Sequence, residues 1–187
     1  MERNYKNKIV TIPNILTLVR LILIPIIVWL YCFKKEHMWT AVVVILSGIT
    51  DLVDGFVARK FNMISELGKI IDPIADKLTQ FAVLVCLVTR FSGMILPCLI
   101  LMVKEIISGI VAMCAIRKSG MVEGADWHGK VSTFMLYAMM IIHVLWVNIP
   151  PAVSNILILL CTAMMIFSFI LYNIRNITTY KKFMNKE

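Results

Sequence analysis

The chain has 187 residues, 60% of them apolar and 16% charged, with a formal net charge of +8 and a mean hydropathy of +0.86. A soluble fold of this length exposes too much surface to hide so many apolar side chains, and disorder needs the opposite composition. What remains is an all-α integral membrane protein, a single domain over residues 1–187 with room for about six spans of roughly 20 residues.

In chain order, residues 1–12 are polar and basic and read as a short N-terminal cytoplasmic juxtamembrane segment. Pro13 and Asn14 open an apolar run that ends near Phe33. It is too long for a cleavable signal and more spans follow, so it reads as a first transmembrane helix. The second predicted span runs from Met38 to Lys60, the third from Gly68 to Arg90 and the fourth from Met94 to Arg117. A polar stretch, Lys118 to Lys130, precedes the fifth span, Val131 to Val147. The sixth covers Ala152 to Asn173 and a basic tail follows.

The loops set the orientation. With a cytoplasmic N-terminus, that side holds Arg3, Lys6, Lys8, Arg59, Lys60, Arg117, Lys118, Lys130, Arg175, Lys181, Lys182 and Lys186, and the other only Lys34, Lys35 and Arg90. The positive-inside rule then puts both termini in the cytoplasm. Because the basic residues cluster beside apolar spans, they suit an anionic membrane surface or a phosphate-bearing substrate rather than nucleic acid. Cys32, Cys86, Cys98, Cys114 and Cys161 lie in apolar runs without a CxxC pair and read as buried thiols. Trp29, Trp39, Trp127 and Trp146 fall near span ends as interface anchors. His37 and His128 are expected at the interface and His143 within the fifth span, none with a nucleophile at a suggestive spacing.

Charges inside spans carry the functional signal. Arg20, Lys69, Lys77 and Lys104 lie within or at the ends of spans, as do two pairs of acids, Asp51 with Asp54 and Asp72 with Asp76. A charge at the bilayer centre costs roughly 3 kcal/mol on insertion scales and is retained for function. Residues three or four apart share a helix face, and a short connection makes the second and third spans antiparallel neighbours. The two pairs are therefore expected to converge. Four carboxylates at one point in a low dielectric need cations, and oxygen-only ligands suit Mg²⁺ or Mn²⁺. Gly55 and Gly68 keep the rim clear for a bulky ligand. The same acids would also serve as the ion site of a small cation-coupled transporter, although such a protein has no need of Arg59 beside them.

These residues spell a signature. Asp51-Leu-Val-Asp54-Gly55-Phe-Val-Ala58-Arg59, eight residues, then Gly68-Lys-Ile-Ile-Asp72-Pro-Ile-Ala-Asp76 resembles the motif of the CDP-alcohol phosphatidyltransferases, DxxDGxxAR followed by GxxxDxxxD. The opening Ile12–Pro25 is similar to that of the family's phosphatidylglycerophosphate and cardiolipin synthases. Lys104-Glu105-Ile-Ile sits where such synthases have Arg-Glu-Ile-Ile, and Gly129-Lys130-Val-Ser-Thr133 is similar to their Gly-Lys-x-Lys-Thr.

The resemblance implies a six-helix enzyme, usually a homodimer, in a bacterial inner membrane with its site open to the cytoplasm. Two divalent ions, Mg²⁺ or Mn²⁺, would lie among Asp51, Asp54, Asp72 and Asp76, with Asp76 also the general base. Asn14, Thr17, Gly55, Arg59, Gly68 and, in the linker, Ser65 would hold the CDP-lipid. The implied reaction moves the phosphatidyl group from CDP-diacylglycerol to an alcohol and releases CMP. Glycerol-3-phosphate is the first expectation for the acceptor, with Lys104, Lys130 and Arg117 around its phosphate. Phosphatidylglycerol, the acceptor of cardiolipin synthases, is the alternative, because Ser108-Gly109-Ile110-Val111 stands where a second arginine is usual.

Overall fold

The computed structural model describes residues 12–60, 68–119 and 127–184. They form α1 (Ile12–Val28), a π-helical turn (Trp29–Lys34), α2 (His37–Lys60), α3 (Gly68–Val88), a 3-10 turn (Ser92–Met94), α4 (Ile95–Ser119), α5 (Trp127–Leu145) and α6 (Pro151–Met184). The described residues are thus all-helical, as the composition requires. Four segments are long and apolar enough to cross a membrane: Asn14–Lys34, Ser92–Val111, Trp127–Leu145 and Pro151–Thr178. In α2 the described apolar part is His37–Thr50, and the sequence continues into Asp51, Asp54, Arg59 and Lys60. In α3, Lys69, Asp72, Asp76 and Lys77 interrupt the apolar run. The two helices that depart from plain apolarity are those that carry the signature.

The chain divides into two compact units. In the first, α1 packs on both α2 and α3, joined by the last residues of α5 and the turn after it, Ile141–Val147. Thr17, Arg20, Ile27 and Tyr31 are buried along one stripe of α1 and its π turn, at helical spacing. Thr40, Ala41, Val44 and Ser47 do the same on α2, and Ala75, Thr79, Val83 and Leu87 on α3. The core is graded: Thr17, Arg20, Ser47, Thr79 and Gln80 make one end polar, whereas Ile27, Val44, Leu84 and Leu87 are apolar. Membrane helices tolerate such polar groups where they face the protein interior rather than lipid.

Two local features of this unit were not legible in the sequence. Four residues past Pro25, α1 widens into its π turn, which ends at Lys35 in the left-handed region (φ 56°, ψ 31°). The Glu36 amide returns 3.0 Å to the Leu30 carbonyl, so the orphaned end of the helix is satisfied as in other left-handed caps. Then the Thr40 hydroxyl donates to the Glu36 carbonyl at 2.8 Å, opening α2.

In the second unit α4 packs along α6, and Asn173 Nδ2 donates to Ser108 Oγ at 3.3 Å between them. Gly93, in the 3-10 turn, lies close to α6: a Cβ there would meet Ile158 Cδ1 at 3.2 Å, a tight contact that this side chain would have to relieve. Helix α5 starts at Trp127, four residues earlier than expected. His128 is buried, with Nδ1 3.2 Å from Ser168 Oγ on α6. Trp127 stays exposed beside it. Helix α6 continues past Asn173 to Met184. The basic tail has no Gly or Pro to break the helix, and Arg175 lies 4.7 Å over the Tyr172 ring. Cys32, Cys86, Cys98 and Cys161 are free thiols; the last three are buried as expected, whereas Cys32 is exposed.

Candidate active site

The site is built on α1 and α3 of the first unit. Asp72 and Asp76 follow one another by a single turn of α3, so both lie on one face. Thr17, on the buried stripe of α1, donates its hydroxyl to Asp72 Oδ1. One turn further along α3, Asp76 Oδ2 accepts from Gln80 Nε2 at 2.9 Å and has Lys77 Nζ at 3.6 Å. The same ammonium reaches Gln80 Oε1 at 3.4 Å. The Asp76 side chain is 16% exposed, enough to be reached from outside. Gln80 is fully buried, and its amide is held in place by Asp76 and Lys77 together.

Each partner has a physical reason, local for Gln80 and set by helix packing for Thr17. An amide four residues after a carboxylate meets it on the helix surface. A threonine in a buried stripe is left with one hydroxyl to satisfy, and a carboxylate on the neighbouring helix does so more strongly than a neutral acceptor. Both carboxylates thereby gain a fixed orientation while each keeps oxygen lone pairs for a further partner.

Of the residues expected at the site, Asp72, Asp76 and Thr17 come together, and Asn14 lies half-buried one turn before Thr17. Asp51, Asp54, Gly55 and Arg59 belong to α2, which runs unbroken through Lys60. Positions 51 and 54 follow the buried Ser47 by four and seven residues, spacings that return to one helix face. Their side chains, and that of Arg117 on α4, lie outside the described residues, as do Ser65 and the surroundings of Gly68. Among the described residues no three of His, Cys, Asp and Glu gather around one point. The donors that are described, carboxylate and hydroxyl oxygens, suit a hard divalent cation.

The expected acceptor residues lie in the second unit. The Lys104 side chain is 13% exposed, its Nζ 3.7 Å from Glu105 Oε1. Lys130 is exposed in the first turn of α5. Sequence reasoning missed Gln80, whose signal was an amide one turn after Asp76 in an apolar stretch. It noted Arg20 only as a charge within a span. Arg20 is 0% exposed, one turn from Thr17 on the same stripe.

Residues 10–174 match the family model described as CDP-alcohol phosphatidyltransferase. Over 110 residues the chain is 36% identical to the CDP-diacylglycerol–glycerol-3-phosphate 3-phosphatidyltransferase of Rickettsia bellii, covering 57% of this chain and 61% of that protein. The Rickettsia felis protein of the same name is 33% identical over 127 residues, 66% of this chain and 69% of its own length. A cardiolipin synthase (CMP-forming) of Streptomyces coelicolor is 34% identical over 139 residues, 71% of this chain and 64% of its own.

Proposed function

The chain belongs to the CDP-alcohol phosphatidyltransferase family, and from that membership we propose that it transfers the phosphatidyl group of CDP-diacylglycerol to glycerol-3-phosphate, releasing CMP. The observation that carries the reading is the hydroxyl of Thr17 held on Asp72, beside Asp76 one turn away. It joins the opening segment and the aspartate signature, two stretches 55 residues apart, in one place. The names of the Rickettsia relatives support the acceptor.

In this reading all six helices cross the membrane, α2 and α3 with their charged halves turned to the site. Asp51, Asp54, Asp72 and Asp76 hold two divalent ions, Mg²⁺ or Mn²⁺, which when bound offset the pyrophosphate charge and ease the departure of CMP. Arg59, with Asn14, Thr17, Gly55, Ser65 and Gly68, holds the nucleotide end of the lipid. Asp76 takes the proton of the acceptor hydroxyl, whose oxygen forms a bond to the lipid-side phosphorus. The bond from that phosphorus to the bridging oxygen breaks, and the electron pair leaves with CMP. No covalent enzyme intermediate is needed, since alignment and charge stabilisation suffice for such a displacement. Lys104, Lys130 and Arg117 bind the acceptor phosphate. The enzyme works as a homodimer in the bacterial inner membrane, with termini and site in the cytoplasm, as the lysine and arginine distribution favours.

Phosphatidylglycerol is the second reading for the acceptor. Within Ser108–Val111, the stretch where a second arginine is usual, Ser108 is buried and bonded to Asn173, and this turn of α4 is neutral. The deciding experiment offers labelled CDP-diacylglycerol to the purified protein with glycerol-3-phosphate, phosphatidylglycerol, inositol phosphate or serine in turn. Phosphatidylglycerophosphate and CMP are the expected products. Cardiolipin would establish the second reading, and no transfer to any acceptor would refute both.

A further inference from the structure

At the other end of the first unit, roughly 20 Å along α1 from Thr17 at 1.5 Å per residue, lies a cavity of about 410 Å³. It is lined by Tyr31, Cys32, Lys35, His37, Thr89 and Arg90, from the π turn, the start of α2 and the end of α3. None of these belongs to the aspartate site. We propose that this cavity is a binding site for a phosphate group, as carried by an anionic phospholipid headgroup on the membrane face opposite the aspartates.

Four observations carry it. First, the lining has two permanent cations, Lys35 and Arg90, and no carboxylate. Glu36 is exposed and outside the lining. Second, the Tyr31 hydroxyl is buried and, among the described residues, has no hydrogen-bond partner; the same holds for His37 Nδ1. Tyr31 is only 5% exposed, and an unsatisfied buried hydroxyl costs enough that it ordinarily has a partner. A phosphate oxygen supplies one.

Third, the geometry is fixed in advance. Arg90 Nη2 is anchored 2.7 Å from the Val147 carbonyl, and the Tyr31 and His37 rings meet edge to face at 5.4 Å. Lys35 holds the one left-handed backbone among the described non-glycine residues, directly after a π turn. Both are departures from regular backbone that tend to gather at binding sites. Fourth, the cavity lies where the apolar segment Asn14–Lys34 ends, with Trp29 exposed and Lys34 5.1 Å from its ring. That is the depth at which headgroup phosphates lie. The volume is within the range of small-ligand pockets.

The test uses the full chain in phospholipid-free detergent with a chelator present, so that no metal-dependent binding at the aspartates competes. Inorganic phosphate, dihexanoyl phosphatidylglycerol and, as a phosphate-free control, glycerol are each titrated, and binding is read by ligand-observed NMR and by melting temperature. Saturable binding of the lipid alone would make the headgroup the ligand, and binding of both would show that phosphate suffices. Lys35→Gln and Tyr31→Phe should each weaken binding by roughly tenfold, as for one lost hydrogen bond to a charged group. Arg90→Gln should do so too, but Arg90 also braces Val147, so the other two variants decide. The proposal fails if neither phosphate probe binds saturably, if glycerol binds as well as they do, or if Lys35→Gln and Tyr31→Phe bind like the wild type.

Discussion

Thr17 on α1 donates its hydroxyl to Asp72 on α3, across 55 residues of sequence, and so fixes one carboxylate of the signature from a different helix. Thr17→Val keeps the shape and removes the donor. Losing a hydrogen bond to a charged acceptor costs about 1.5–3 kcal/mol, so activity should fall roughly ten- to a hundredfold. Thr17→Ser should retain most of it. Steady-state rates across a Mn²⁺ titration check this, and a Val variant as active as wild type would mean the contact is idle in turnover.

Asp76 is the residue proposed to take the acceptor's proton. Asp76→Asn keeps the size and the bond to Gln80, so CDP-diacylglycerol binding should survive while turnover is lost. Gln80→Leu, which releases Asp76 Oδ2 from its 2.9 Å partner, should lower kcat by roughly tenfold with little change in KM for the CDP-lipid. Equilibrium binding measured beside turnover separates the two effects. Loss of binding in Asp76→Asn would argue against the base.

How much of this was readable in advance depended on the range of the interaction. Asp51, Asp54, Asp72 and Asp76 could be paired from spacing alone, because positions three and four apart share a helix face whatever surrounds them. The same periodicity would have yielded Gln80 from Asp76. Thr17 was expected to face the nucleotide, but its link to Asp72 depends on how α1 packs on α3, which no local spacing encodes. His128 shows the same limit: its buried partner, Ser168 on α6, lies forty positions away, and its polar neighbours in the sequence do not point to it. The π turn and the left-handed Lys35 leave no mark on hydropathy at all.

Arg20 brings a permanently charged guanidinium into the same packed helices, at 0% exposure. Removing a charge from such a setting leaves whatever balanced it uncompensated, at a cost of about 3–5 kcal/mol. Arg20→Met should therefore lower the melting temperature in detergent by several degrees, and Arg20→Lys should recover only part, since an ammonium lacks the planar fork. A Met variant that melts with the wild type would show that this charge has no structural weight.

Oxygen ligands of the Mg²⁺ class bind reversibly, so a chelator should abolish transfer and added Mg²⁺ or Mn²⁺ restore it. Asp51→Ala and Asp72→Ala should not be restored at concentrations that saturate the wild type. Full activity of either variant in chelator would remove the metal from the proposed reaction.

Lys104 distinguishes the two acceptors. It is an ammonium 13% exposed within α4, its Nζ 3.7 Å from Glu105, and a membrane helix does not retain such a charge for packing alone. If it meets the phosphate of glycerol-3-phosphate, Lys104→Ala should raise KM for that acceptor by roughly tenfold or more, the size of a lost charge-assisted contact. KM for CDP-diacylglycerol should stay near the wild-type value. Phosphatidylglycerol also carries a phosphate, but as a diester with one charge fewer, so its KM should respond less. Measuring both acceptors on the same variant gives a ratio that is insensitive to partial misfolding. An unchanged ratio would remove Lys104 from the acceptor site and leave the neutral turn at Ser108 as the better guide to the lipid acceptor.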